Sequence, residues 1–138
     1  MEKLINEVLK LAKKSEKKGE FPVGAIIYSG DKIVSKAYNT RNKSNKTIDH
    51  AEITAIIRAN KKLHTWRLNG YNMIVTLEPC DMCRSIIRES RLDEVTYLID
   101  RYEYKKQYGK TKFNKLKIND CDVENYKTSI RHFFENKR

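Results

Sequence analysis

The sequence contains no long apolar run, no internal repeat and only three cysteines. Its apolar segments extend over a few residues each, whereas a membrane-spanning helix needs about 20 in succession, so we expect no membrane span. The charged start, Met1-Glu2-Lys3-Leu4, lacks the apolar stretch of a secretory signal peptide, and we expect a cytoplasmic protein.

The three cysteines are an odd number, and two of them are spaced as Cys80-x-x-Cys83. In a reducing compartment this spacing is typical of a metal site or a redox pair, and a structural disulfide is rare there. Cys121 is left over, and we interpret it as a small buried apolar residue or an inert thiol.

The length of 138 residues is enough for one core, and we expect a single domain over residues 1–138. An apolar fraction of 39% and a charged fraction of 34% are typical of a soluble globular protein. The net charge of +11 favours a polyanion such as RNA as a partner. However, lysine, asparagine and isoleucine are all abundant, which an AT-rich genome alone could produce. Charge by itself therefore does not establish nucleic-acid contact.

Hydrophobic periodicity predicts elements in the order α, β, β, α, β, α, β, β, α. The predicted elements are residues 2–18, 21–28, 32–38, 50–63, 72–77, 80–90, 94–99, 116–118 and 123–136. The strand, helix and strand within residues 72–99 imply a parallel crossover. We expect an α/β protein in which helices cover both faces of a mixed five-stranded sheet. The last helix should be buried through Val123, Tyr126, Ile130 and Phe133 or Phe134.

Two short segments carry the most distinctive side chains, His50-Ala51-Glu52 and Pro79-Cys80-Asp81-Met82-Cys83. One imidazole and two thiols are ligand types that Zn²⁺ prefers, and three protein ligands leave a fourth position open. A water in that position has its pKa lowered to about 7, so the group is interpreted as catalytic. Glu52 is then the proton carrier beside that water.

Each motif alone has another explanation. Asp49-x-x-Glu52 fits a capping box, Cys80-x-x-Cys83 fits a redox pair, and His50 could be structural. His50 and Glu52 are two residues apart, so they share a pocket only if His50 lies in the non-helical cap. The occurrence of both motifs in one chain decides between these explanations. His-x-Glu followed by Pro-Cys-x-x-Cys is typical of zinc-dependent nucleobase deaminases, in which the Glu is not a ligand.

At these residues the chain resembles the bacterial tRNA-specific adenosine deaminases. The resemblance covers the first 100 residues or so well and the last helix loosely. The matching segments are Pro22-Val23-Gly24-Ala25, Tyr38-Asn39, His50-Ala51-Glu52-Ile53, Trp66-Arg67-Leu68, Val75-Thr76-Leu77-Glu78-Pro79-Cys80-Asp81-Met82-Cys83, Ser90-Arg91 and Phe133-Phe134.

The resemblance implies a three-layer α/β/α cytidine deaminase-like fold and a homodimer that converts adenosine to inosine at the wobble position of a tRNA anticodon loop. It implies one Zn²⁺ per subunit. The metal ligands would be His50, Cys80 and Cys83, and the catalytic residue would be Glu52. The substrate-binding residues that it implies are Asn39, Val23, Gly24 and Ala25.

Two stretches depart from the family, and both bear on the substrate rather than on the reaction. Residues 101–110 are basic and tyrosine-rich where relatives have small residues, and Arg84-Ser85 follows the second cysteine. Tyr102, Tyr104 and Tyr108 fit either stacking surfaces for unpaired bases or an ordinary surface loop. The alternative functions are a small-molecule deaminase of guanine or cytosine type and a non-catalytic RNA-binding subunit.

Overall fold

The computed structural model describes residues 1–101 and 110–136. The chain divides into two compact units, Met1–Lys105 and Lys106–Arg138. The elements of the first unit are α1 (Glu2–Lys17), β1 (Gly24–Ser29), β2 (Lys32–Tyr38), α2 (Arg41–Ser44), α3 (Ala51–Leu63), β3 (Asn72–Leu77), α4 (Asp81–Ser90) and β4 (Glu94–Ile99). The second unit contains α5 (Asp120–Glu135). The single domain over residues 1–138 stays a prediction.

The sheet is mixed, as predicted, with strand order β2-β1-β3-β4. β1 pairs antiparallel with β2 and with β3, while β3 pairs parallel with β4 across the α4 connection. The predicted fifth strand is wrong, because residues 116–118 form no strand and the sheet has four strands within residues 1–101 and 110–136. A short apolar alternation becomes a strand only when its backbone finds a hydrogen-bonded partner, and Leu116 is instead 81% exposed.

Alternate residues of the central strands enter two separate cores, which explains the three layers. Ile26 of β1 and Ile74 of β3 pack with apolar residues of α1. Their neighbours Ala25, Ile27 and Val75 belong to the core that includes α3 and α4. Because successive side chains of a strand point to opposite faces, α1 covers one face of the sheet and the other two helices cover the opposite face.

β1 and α1 approach each other closely at Gly24. A Cβ atom there would lie 2.5 Å from the Val8 carbonyl oxygen, 2.8 Å from Leu11 Cβ and 2.9 Å from the Ala12 nitrogen. Two of these atoms belong to the backbone of α1, so the helix itself would have to move. The close approach that a glycine in this strand predicts is therefore made by α1.

We expect Gly24→Ala to lower the free energy of unfolding by about 3 kcal/mol, the upper end of the usual cost of overpacking. A urea denaturation curve measures the change. Gly30→Ala is the control, since no atom lies within 4 Å of its added Cβ and only its φ of +57° is strained. An unchanged midpoint for Gly24→Ala would show that α1 yields without cost.

The second unit contains the last predicted helix. The last helix forms as predicted but begins at Asp120, and Asn119 caps it by accepting a hydrogen bond from Asp122 N at 2.8 Å. Within this unit none of its residues is buried, and the predicted burial of its apolar stripe stays a prediction. Helical spacing shows which side chains share a stripe, but it does not show that another element covers them. Cys121 is exposed within this unit, and its interpretation as a small buried residue or an inert thiol stays a prediction.

Two further expectations concern the tyrosine-rich stretch and a membrane span. The three tyrosines of the departing stretch, Tyr102, Tyr104 and Tyr108, lie outside the described residues. Within residues 1–101 and 110–136, no helix combines the length and the apolar character that crossing a membrane requires.

Candidate metal centre and active site

The first part of the site is built at the start of α3. His50 is the N-cap of this helix, with an extended backbone at φ −79° and ψ 151°. Residues two apart within a helix point to opposite faces, but the backbone of His50 is not helical. Its imidazole can therefore lie on the same side as Glu52. Glu52 lies in the first turn, is only 2% exposed, and borders the same cavity as His50. The condition for these two side chains to share a pocket is met.

The capping-box explanation for Glu52 does not hold. A capping box here would need Asp49 as the N-cap, with the Glu52 carboxylate bonded back to its backbone. The N-cap is His50, and the helix start has no side-chain cap hydrogen bond. The carboxyl group of Glu52 is thus buried without serving as a helix cap.

The second part of the site is built at the start of α4. Cys80 is the N-cap, again with an extended backbone at φ −69° and ψ 171°, and Cys83 lies fully buried in the first turn. Unpaired N–H groups and the positive end of the helix dipole favour thiolates at such a position. Pro79 separates this helix start from the end of β3 at Leu77. The starts of α3 and α4 therefore bring their side chains to one place.

The three predicted ligand atoms have the spacing that a tetrahedral zinc ion requires. His50 Nδ1 lies 3.7 Å from Cys80 Sγ and 3.5 Å from Cys83 Sγ. All three ligand atoms lie within 4.8 Å of one another. Zinc bonds of about 2.3 Å to sulfur and about 2.0 Å to nitrogen give tetrahedral nitrogen–sulfur edges of about 3.5 Å. The donor types and the two nitrogen–sulfur distances therefore fit zinc.

The pKa values of the acidic groups also indicate a cation site. A hydrogen bond from the Cys83 thiol lowers the pKa of Cys80 to about 3. The same hydrogen bond, together with burial and the charge of Glu52, raises the pKa of Cys83. Burial raises the pKa of Glu52, against the effects of its own N–H and of His50. Complete ionisation of both thiols needs a positive charge beside them, and a divalent metal ion supplies it.

A cavity of about 230 Å³ opens beside this cluster. This volume is below the range of about 300 to 1,000 Å³ that is typical of sites for drug-sized ligands, so the cavity suits a single nucleobase. Its lining among the described residues is Phe21, Val23, Asn39, Arg41, His50, Ala51, Glu52 and Arg101.

Asn39 and Val23 border the cavity, but Asn39 is already held by its own chain. Its side-chain nitrogen Nδ2 donates to the Phe21 carbonyl at 3.1 Å, and its oxygen Oδ1 accepts from Arg41 N at 3.1 Å. Its backbone nitrogen donates to the Val23 carbonyl at 3.0 Å. Asn39 therefore holds two segments of the cavity wall together, residues 21–23 and Arg41, and its contact with substrate stays a prediction.

Gly24 and Ala25 do not border this cavity among the described lining residues. Gly24 lies against α1, and Ala25 is fully buried in the core on the other face of the sheet. The structure assigns both residues to packing. Their predicted contact with substrate stays a prediction.

Arg41 and Arg101 are cavity residues that sequence reasoning missed. Arg41 lies in a polar stretch without periodicity, and Arg101 was grouped with the basic residues that follow it. One signal could have found Arg101. It follows β4, and the ends of neighbouring parallel strands such as β3 and β4 meet at the same edge of a sheet.

The sequence profile of the cytidine and deoxycytidylate deaminase zinc-binding region matches residues 1–99. The chain belongs to this deaminase family. Zinc is the metal of the family, in agreement with the donor set of one imidazole and two thiols. The matched range contains the whole cluster and all of the sheet.

Within this family, the chain is similar to individual tRNA-specific adenosine deaminases. The chain is 43% identical over 93 residues to the tRNA-specific adenosine deaminase of Bacillus subtilis (strain 168), a match that covers 67% of the chain and 58% of that relative. The chain thus spans less than two thirds of this curated relative. A structure solved in studies of A-to-I editing by tRNA:A34 deaminases has 30% identity and a TM-score of 0.69, and the match covers 70% of each chain.

The fold similarity extends to another deaminase. The X-ray structure of guanine deaminase from Bacillus subtilis has a TM-score of 0.80 and covers 99% of this chain and 96% of its own. At 24% sequence identity, this likeness shows the cytidine deaminase-like fold alone.

Proposed function

We propose that this chain is a zinc-dependent hydrolase that deaminates adenosine to inosine at the wobble position of a tRNA anticodon loop. The observation that carries the proposal is the cluster of His50, Cys80 and Cys83 beside a base-sized cavity that is lined by His50 and by the buried Glu52. The 43% identity to a tRNA-specific adenosine deaminase supports the choice of substrate.

The proposed roles follow from the donor types and from burial. His50, Cys80 and Cys83 hold zinc, which when bound acidifies water and so supplies a nucleophile at neutral pH. Glu52 takes the proton that this activation releases and delivers protons to the ring nitrogen and to the leaving amine. Burial raises its pKa, which suits a carboxyl group that must carry a proton between two partners. Ammonia and inosine are the products.

The proposed substrate is a loop in which the target base is already unpaired. Such a base enters a pocket at a lower unstacking and unpairing cost than a base inside a duplex. The net charge of +11 supports attraction to the RNA backbone. We further propose a cytoplasmic homodimer. The resemblance to the tRNA-specific adenosine deaminases supports the homodimer.

The zinc-loaded protein should produce inosine from anticodon stem-loops that carry adenosine at the wobble position. Nuclease digestion followed by mass spectrometry measures the product, and the same preparation should sediment as a dimer. A stem-loop with that adenosine base-paired is the matched control and should react more slowly. Turnover of free guanine or cytosine, with no inosine from RNA, would reject the tRNA substrate in favour of the small-molecule alternative.

A further inference from the structure

Two arginines border the cavity from different loops. Arg41 follows β2 and is exposed, and Arg101 follows β4 and is half-buried. Glu52, which also lines this cavity, is only 2% exposed. The positive charges therefore lie in the outer part of the site. Neither arginine has a role in the proposed metal binding or proton transfer.

The backbone around Arg41 is held in place by two side chains that accept hydrogen bonds from it. The Asn39 side chain accepts from Arg41 N at 3.1 Å. The carboxylate of Glu20, only 6% exposed, accepts from Asn42 N at 3.0 Å and from Lys43 N at 2.8 Å. A buried carboxylate thus fixes the start of the short helix α2. The base of the Arg41 side chain is preorganised at the cavity.

Arg101 is oriented by the residue that precedes the Pro-Cys-x-x-Cys motif. Its backbone nitrogen donates to Glu78 Oε1 at 3.2 Å, and its Nε donates to the Glu78 carbonyl at 2.9 Å. The carboxylate of Glu78 also pairs with Arg84. The bond from Nε fixes the plane of the Arg101 guanidinium group at the cavity wall.

Metal binding changes what Arg41 can contact. Its Nη1 lies 3.3 Å from Nε2 of His50, a contact that requires Nε2 to accept a hydrogen bond. Nδ1 of the same ring faces the two sulfur atoms, so a metal ion on Nδ1 leaves the proton on Nε2. Arginine has only donors. Two donors cannot bond, so the loaded site leaves Nη1 of Arg41 available to an acceptor.

We propose that Arg41 and Arg101 together bind a phosphate group of the nucleotide whose base enters the cavity. The planar guanidinium group binds phosphate through paired hydrogen bonds, and two such groups border the outer part of a site whose inner end takes the base. The identity of that base rests on the proposed function. The phosphate belongs to an RNA strand or to a free nucleotide, and in both cases free bases and nucleosides are poor substrates.

The test compares Arg41→Gln and Arg101→Gln with wild type on an anticodon stem-loop, on adenosine monophosphate and on adenosine. We expect kcat/KM for phosphate-bearing substrates to fall about 10- to 100-fold, as for loss of a charged hydrogen bond, and kcat/KM for adenosine to change little. Arg101→Lys should recover part of the loss. Arg58→Gln is the charge-matched control, because Arg58 donates to the Lys36 carbonyl and does not border the cavity.

A second measurement does not depend on turnover. Binding of a stem-loop that already carries inosine is followed from about 50 to about 200 mM salt, and each arginine variant should lower the salt slope by about 0.7, the value for one phosphate contact on a single strand. Zinc content and the melting temperature are measured for every variant. These controls exclude loss of the metal or of the fold as the cause of any change.

The outcomes separate this proposal from the proposed function. Loss on adenosine monophosphate, with no RNA turnover in wild type, supports the phosphate site and assigns the phosphate to a free nucleotide. Equal losses on all three substrates, with an unchanged salt slope, overturn the phosphate site whether or not RNA is deaminated. RNA turnover that neither substitution affects overturns the phosphate site and leaves the function standing.

Discussion

Replacing Glu52 with glutamine should abolish deamination without destabilising the protein. Glutamine keeps the shape of the side chain but cannot take or deliver the proton, and a positioned acid–base group contributes about 10²- to 10⁴-fold to the rate. We expect kcat on the stem-loop to fall by a factor in this range. Because the side chain is buried, the metal ligands and the cavity wall should remain in place.

The stability of this variant gives a second and independent readout. Burial raises the pKa of Glu52, so the folded metal-free protein binds this proton more tightly than the unfolded chain does. The ionised group then costs stability at pH values above its unfolded pKa, and glutamine removes that cost. With a chelator present at neutral pH, the melting temperature of Glu52→Gln should equal or exceed that of wild type. At a pH below the unfolded pKa the two proteins should converge.

The matched control for this prediction is Glu89→Gln on α4, whose side chain is 85% exposed. It makes the same chemical change at the surface and should alter neither the rate nor the melting temperature. A wild-type rate for Glu52→Gln would show that another group carries the proton. A lower melting temperature with a normal rate would make Glu52 a structural residue.

The fold was largely predictable because its central strands are short apolar segments between clear turns. The segments at β3 and β4 have little choice of partner, since the connection between them is just long enough for one helix. Residues 116–118 were mispredicted as a strand for one reason. Local periodicity shows which side chains share a face, while pairing and burial depend on distant parts of the chain.

The metal cluster was predictable from a conjunction of two motifs, although they lie 30 residues apart. Its donor types and the open fourth position limit the chemistry more strongly than any single spacing does. The arginines were not predictable in the same way. Arg41 and Arg101 border one cavity because the segments that follow β2 and β4 leave the sheet at the same edge. No local sequence pattern indicates that these two segments are close in space.

Cys83→Ser should remove both zinc and activity while the protein stays folded. The buried Sγ atom lies 3.5 Å from Nδ1 of His50, and a serine of nearly the same size offers no thiolate to the metal. We expect zinc content after dialysis to fall to background, together with deamination. Chelation of wild type should have the same effect on the rate, and added zinc should reverse it. Atomic absorption and the inosine assay measure these changes.

The fold should survive because the core that surrounds Cys83 consists mainly of aliphatic side chains, whereas small zinc-dependent domains have no such core. Circular dichroism of Cys83→Ser should match wild type, and a chelator should lower the melting temperature of wild type only. Cys121→Ser is the matched control, since this exposed cysteine lies outside the cluster and should keep both zinc and rate. Unfolding of Cys83→Ser would assign the metal a structural role, and retained zinc would remove Cys83 from the ligands.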